Sequence, residues 1–287
     1  MPGLKSGTLW PLVVHRTQEA LRCGALQPIA TLSERVEQAG IRFIIRMVSG
    51  LQRKQKERSE NPFLPFDEAL FVSEISDTHV CLLNKFNVIE HHLLFVTRYF
   101  EDQELPLTQN DFAVIRTVLR EIDGLAFYNS SRVSGASQPH RHLQLVPLPL
   151  VPEDRLPVSP LIRAALCLDD EQHALPFRYA VMRIPQRWLE DTSASAAAMQ
   201  DSYVQLLRTA GVIDCTTLDA EEPLAPYNLL VTREWMLLVP RSRECWQCIS
   251  INALGFAGSL LVRERRQMRA IKAHGPMNVL RSVAVSA

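Results

Sequence analysis

The sequence predicts an α+β protein, an antiparallel sheet with helices packed against it. Three observations lead there. Apolar segments at residues 69–75, 79–86 and 92–97 follow one another across short turns, as in a meander. A single helical pattern then interrupts the strands instead of alternating with them. Neither a Gly-x-x-x-x-Gly-Lys-Ser/Thr run nor a Gly-x-Gly-x-x-Gly run occurs, so the usual signatures of parallel nucleotide-binding sheets are missing.

Taken in order, residues 17–24 read as a short helix stopped by Gly24. Ile41 to Gly50 is rich in β-branched and aromatic residues and reads as a strand. It runs into a basic loop, residues 52–58, which reads either as a solvated surface or as a reach toward a polyphosphate, with Lys54 the candidate contact. Residues 61–66 are a proline-punctuated connector. The second meander strand ends in Asn84-Lys85-Phe86-Asn87, a cation and two amides at a strand end, where ligand groups commonly sit. Thr108 and Asp111 resemble a capping box. Phe112, Ile115, Leu119 and Ile122 then recur at helical spacing, and Gly124 ends the helix. Residues 125–129 form a strand, 130–139 a serine-rich loop holding Gly135, and 141–146 a further strand.

The proline-rich stretch 147–160 reads as a linker or wrapping loop. Residues 177–184 form a strand stopped by Pro185, and 193–209 an alanine-rich helix ending at Gly211. Residues 227–232 and 235–239 flank Arg233-Glu234 as a tight hairpin. An apolar stretch at 249–262 gives way to a charged run at 263–266, and a short helix follows Gly275-Pro276.

Composition narrows the function. The chain has 287 residues, 31 Lys and Arg against 31 Asp and Glu, and no net charge. A global positive field for nucleic acid or an anionic membrane is therefore absent. No apolar stretch approaches the roughly 18 residues of a membrane span. The run Leu9 to Val14 is broken by Pro11 and too short for a signal peptide. The six cysteines lack disulfide-like regularity and read as reduced thiols. Cys245 and Cys248 have C-x-x-C spacing without the further ligands a zinc site needs. A soluble cytoplasmic protein is expected, with the oligomeric state left open.

The most informative stretch is Gly135-Ala-Ser-Gln-Pro-His-Arg-His-Leu-Gln144. In a strand, side chains two apart point the same way, so His140, His142 and Gln144 share a face. Imidazole is largely unprotonated at neutral pH and is a nucleophile. A carboxamide beside it donates hydrogen bonds but has no titratable proton. Such a set suits covalent transfer of a phosphoryl-type group. The same His-x-His spacing also serves as half a metal site or as plain surface polarity.

Five blocks taken together are more specific. They are Asn61-Pro-Phe-Leu-Pro-Phe66, His79-Val-Cys-Leu-Leu-Asn-Lys-Phe86, the His140/His142/Gln144 block, Tyr227-Asn-Leu-Leu-Val-Thr232 and Ser250-Ile-Asn-Ala-Leu-Gly-Phe-Ala-Gly258. They resemble the diadenosine tetraphosphate phosphorylase, or ATP adenylyltransferase, family. Its HIT-like fold is shared with galactose-1-phosphate uridylyltransferase. The resemblance implies a HIT-like catalytic core over residues 1–150 and a C-terminal portion over 151–287 that completes the sheet and nucleotide pocket, the two forming one unit. It implies phosphorolysis of diadenosine tetraphosphate by phosphate to ATP and ADP, with His142 as nucleophile and His140 orienting the site or bonding phosphate. Gln144, where related hydrolases carry a third histidine, implies a transferase that waits for phosphate. Gly135, Ala136, Ser137 and Gln138 resemble the phosphate-contacting loop, where small residues let backbone amides approach an anion. Lys54, Asn84, Lys85 and Asn129 match positions expected at nucleotide or polyphosphate, as do, from the C-terminal block, Asn228, Thr232, Met236 and Arg241. The resemblance also implies magnesium carried on the substrate phosphates, without a protein metal cage.

Two other readings stay open. A hexose-1-phosphate uridylyltransferase shares the nucleophile motif, but a proline is expected between its histidines where this chain has Arg141. A silent nucleotide-binding module is the other.

Overall fold

The central strands are buried along their whole length, on both faces, and pairing them builds a single large sheet. The computed structural model describes residues 4–48, 61–151, 155–167, 175–190, 193–214 and 218–287. The predicted meander is β3 (Phe71–Glu74), β4 (His79–Leu83) and β5 (Leu93–Thr97). With β6 (Gly124–Asn129), β7 (His142–Pro147), β8 (Ala180–Arg183), β9 (Tyr227–Val231) and β10 (Trp235–Pro240) it forms eight strands in the order β3-β4-β5-β7-β6-β9-β10-β8. Every neighbouring pair in that sheet is antiparallel. Five of its strands precede residue 150 and three follow it.

One face of this sheet packs under α1 (Leu9–Arg22), α2 (Gln109–Glu121) and α4 (Ser193–Thr209). The other face is divided. Over β6, β9 and β10 lies a second apolar cluster shared with β2 (Ile41–Val48), β13 (Ser259–Val262) and the C-terminal helices α6 (Arg265–His274) and α7 (Pro276–Val283). Over β4 and β5 lies a small cluster of Phe63, Val80, Leu82, Leu94 and Val96. The polar residues of β7 stand between the two.

Several elements differ from expectation for physical reasons. Helix α1 begins at Leu9, not Thr17, because Pro11 falls in the first turn, where its missing N–H costs nothing. β1 (Thr31–Gln38) is mostly exposed and polar, so it carries no apolar pattern. It is held by residue-for-residue pairing with β2 across Ala39 and Gly40, both at positive φ as a tight hairpin requires. The supposed linker ends where α3 (Ser159–Leu166) starts on a proline. The charged run at 263–266 opens α6, whose Met268 and Ile271 are buried. The apolar stretch at 249–262 contains β12 (Ile249–Ser250), which pairs with β11 (Cys245–Trp246) just before it, then α5 (Ala253–Phe256) and β13, which runs parallel to β2. No helix among the described residues is long and apolar enough to cross a membrane.

The capping box at Thr108 does more than start α2. Asp111 is fully buried and accepts from the Thr108 amide at 2.7 Å and hydroxyl at 2.8 Å. It also accepts from His79 Nε2 at 3.2 Å and Arg141 Nη1 at 3.3 Å. Burial pushes its carboxyl up, but His79, Arg141 and the Thr108 amide outweigh this and hold it below the usual range. Arg141 is buried too, with Glu101 as a second partner at 2.9 Å. Asp111→Ala is expected to cost about 3–5 kcal/mol in urea unfolding, because the buried Arg141 guanidinium loses a counter-charge and His79 loses its hydrogen-bond partner. A loss below about 1 kcal/mol would contradict that role.

Candidate active site

β7 leaves its loop at His142, and its register sets the site. His142 stands opposite Val96 and Gln144 opposite Leu94, so both side chains share the face carrying the small apolar cluster. His142 is 3% exposed. Its Nδ1 lies 2.8 Å from the backbone oxygen of His140. A carbonyl oxygen only accepts, so Nδ1 carries the proton and Nε2 keeps its lone pair. No group among the described residues bonds that Nε2. Burial holds the ring's pKa down at about 4, so it is neutral at physiological pH. Phe63 packs against it with ring centroids 5.4 Å apart.

His140 is fully buried and committed within the protein. Its Nε2 meets the backbone oxygens of Thr97 at 2.9 Å and Tyr99 at 3.1 Å, which fixes the proton there. Its Nδ1 accepts from Asn61 Nδ2 at 3.0 Å. Between the two roles the family resemblance allows, phosphate contact and orientation, the bonds of His140 favour orientation.

Gln144 is part of a relay. Its Oε1 lies 3.0 Å from His92 Nε2, and His92 Nδ1 lies 3.1 Å from Asn84 Nδ2. The amide of Asn84 donates to one side of the imidazole, and the other side donates to Gln144. Burial keeps His92 neutral, at about 4. With its oxygen engaged, Gln144 keeps an NH₂ that has no acceptor among the described residues. Asn84 thus reaches the site through His92, and Lys85 beside it is paired with Asp67 at 3.7 Å.

The loop before the strand closes on itself through two amides. The N–H of Gly135 donates to the Arg132 oxygen and that of Ala136 to the Ser131 oxygen. The amides of Ser137 and Gln138 have no acceptor among the described residues, so they are available to an anion. Gly135 has φ +96°, and a Cβ there would lie 2.7 Å from that of Asn252, so only glycine fits. Asn129 Oδ1 accepts from Asn228 Nδ2 at 2.8 Å and the Ala253 amide at 2.9 Å. Asn228 in turn accepts from Arg241 at 2.6 Å. Arg241 is 3% exposed and donates to the backbone oxygens of Ser134, Ile251, Arg243 and Val283. Burial lowers its pKa to about 10.

The structure therefore brings His140, His142, Gln144, Asn84, Asn129, the 135–138 loop and Asn228 together. Arg241 stands behind that loop as a brace, its donors taken by protein oxygens. Thr232 and Met236 are not brought in. Thr232 caps the far end of the β9–β10 hairpin through the amides of Glu234 and Trp235. Met236 is fully buried in the core beneath the helices, on the opposite face of the sheet from His142. Lys54 lies outside the described residues. His92 and Gln103 belong to the site although no local signal marks them, and Asn61, which opens one of the family-like blocks, joins them through His140. Only strand pairing and loop closure place them there.

The buried neutral imidazoles predict a pH dependence. Unfolded histidine takes a proton near pH 6.5, whereas His92 and His142 resist it until about 4. Stability is therefore complete above about 6.5 and falls as pH drops toward 4. Urea unfolding of the wild type should weaken between about pH 7 and pH 5.5, and His142→Asn should weaken less over that interval. Equal slopes would contradict the burial of a neutral ring.

Residues 1–164 match the model of the Ap4A phosphorylase N-terminal domain, and residues 173–286 that of the ATP adenylyltransferase C-terminal domain. The chain is 30% identical over 247 residues to diadenosine 5',5'''-P1,P4-tetraphosphate phosphorylase 2 of Saccharomyces cerevisiae, covering 75% of this chain and 73% of that protein. It is 27% identical over 243 residues to Protein APA1 of the same yeast, covering 74% and 71%. The crystal structure of yeast Ap4A phosphorylase Apa2 in complex with AMP superposes with a TM-score of 0.79 at 24% identity, covering 99% of both chains. The same enzyme in complex with Ap4A gives 0.77 at 22%, covering 99% of this chain and all of that one. The chain shares their fold from end to end, and it belongs to the Ap4A phosphorylase, or ATP adenylyltransferase, family of nucleotidyltransferases.

Proposed function

We propose that this enzyme splits diadenosine tetraphosphate with phosphate, giving ATP and ADP, through an adenylyl group carried on His142. The observation that carries this reading is the Nδ1–H of His142 held by the His140 oxygen, which leaves Nε2 free to attack. Membership of the family supports the substrate class.

Nε2 attacks the α-phosphorus as the bond to the bridging oxygen breaks. ATP leaves with that electron pair, and AMP remains joined to nitrogen. An oxygen of inorganic phosphate then attacks the same phosphorus, the P–N bond breaks, and ADP forms. Two displacements replace one difficult encounter between anions. The ring becomes cationic during attack, and the His140 oxygen is placed to stabilise it. Gln144 donates its NH₂ to phosphoryl oxygens but has no proton to pass to water. Ser137 and Gln138 supply backbone donors, while Lys54 and Lys85 serve the outer phosphates. Asn129 and Asn228 shape the cradle.

The donors around His142 are imidazoles and carboxamides. Among the described residues no group of three His, Cys, Asp or Glu side chains stands ready for a cation. A magnesium ion, as the family resemblance implies, would be held by the substrate's own phosphates and would neutralise part of their charge. The uridylyltransferase alternative is disfavoured by Arg141, whose side chain is locked into the Asp111 cluster where that reading expects proline. A silent module gives no reason to keep Nε2 free.

With α-labelled diadenosine tetraphosphate and no phosphate, the wild type should gain acid-labile, base-stable label. His142→Ala should lower labelling by on the order of 10⁴-fold or more, and label that survives would refute the nucleophile. Gln144→His should raise hydrolysis relative to phosphorolysis. An unchanged AMP-to-ADP ratio would remove its selecting role.

A further inference from the structure

The β6–β7 ladder stops short at the site. Its last pair is Phe127 with Gln144. Continued at the same register, the next hydrogen-bonded pair would be Asn129 with His142. In its place stands the side chain of Gln103, which is 1% exposed. Its Oε1 accepts from the His142 amide at 2.8 Å. Its Nε2 donates to the Asn129 oxygen at 2.7 Å and lies 3.5 Å from the His142 oxygen. One carboxamide thus occupies the position of a ladder bond. It holds the two backbones up to roughly 5 Å further apart than direct pairing would, the span of one amide plus one hydrogen bond.

Gln103 is fixed in turn. Its amide donates to the Pro139 oxygen at 2.8 Å, and its own oxygen accepts from the Tyr128 hydroxyl. Asp102 forms a bridge with His140, and the Arg141 amide donates to the Glu101 oxygen. The segment carrying Gln103 therefore runs as a short extra strand beside the catalytic motif. A sheet with direct Asn129–His142 pairing would bring those two side chains together on the same face and close the space between them.

We propose that Gln103 is a positioning residue, a surrogate peptide group that keeps β6 and β7 apart so that a phosphoryl group fits between Asn129 and His142. The proposal rests on His142 as the nucleophile. Asn129 and His142 then face the transferring group from opposite lips of the opening, and Gln103 itself touches no substrate.

Gln103→Met keeps the length and removes both bonds. Gln103→Glu keeps the acceptor and can donate to Asn129 only when protonated. Adenylyl labelling in single turnovers, without phosphate, reads both variants against the wild type and His142→Ala. Gln103→Met should label roughly 10- to 100-fold more slowly. Its half-saturating substrate concentration should move by less than about threefold, since positioning acts on the reacting geometry. A labelling rate within about twofold of wild type, or a loss confined to half-saturation, would overturn the proposal. Should Gln103→Met fail to melt cooperatively, the Glu variant decides. Its labelling relative to wild type should fall as pH rises and the carboxyl ionises against the Asn129 oxygen, and a ratio flat with pH would overturn the proposal. Wild-type protein that takes no label refutes the nucleophile and the proposal with it, whereas normal wild-type labelling with an unaffected Gln103→Met refutes the bridge alone.

Discussion

The proposed chemistry depends on one hydrogen bond, the 2.8 Å contact from His142 Nδ1 to the backbone oxygen of His140. It fixes the tautomer, the ring plane and the direction of the free lone pair together. A histidine with two free nitrogens would present the attacking atom only part of the time. The contact is local, spanning two residues, yet it survives only if the His140 backbone is itself immobile. Most of the polar architecture around the site serves that condition.

The motif is braced from three directions. The ring of His140 is anchored to the oxygens of Thr97 and Tyr99 and to Asn61. Arg141, pointing the other way by strand alternation, enters the buried cluster with Asp111 beneath α2. On the third side Gln103 holds the His142 amide. The loop at residues 135–138 has a separate brace in Arg241, which ties the Ser134 oxygen to Asn228 and to Val283. A buried guanidinium satisfied by fixed oxygens tolerates little displacement of any of them. This is why residues distant in sequence, from 61 to 283, form one rigid cradle.

How much of this was legible in the chain follows from the range of each interaction. The central strands, α2 with its capping box and α4 are local patterns, and they stand where periodicity places them. So does the alternation of His142 and Gln144. β1 was not legible because its stability comes from pairing with β2, not from an apolar face of its own. His92 and Gln103 were not legible for a similar reason. His92 looks like the first residue of an apolar strand until pairing sets Leu94 opposite Gln144. Gln103 sits in a connecting loop with no periodicity at all. Thr232 and Met236 show the converse. The family resemblance carried them into the site with Asn228, but β9 carries Thr232 away from the site, and β10 turns Met236 to the opposite face.

The central claim is most directly tested by the protonation of one ring. Nitrogen-15 NMR of the histidines, with His142 assigned by substitution, reports which nitrogen bears the proton. At about pH 7 the account predicts a neutral His142 with its proton on Nδ1, remaining neutral at about pH 5.5. A proton found on Nε2, or an imidazolium at either pH, would contradict it.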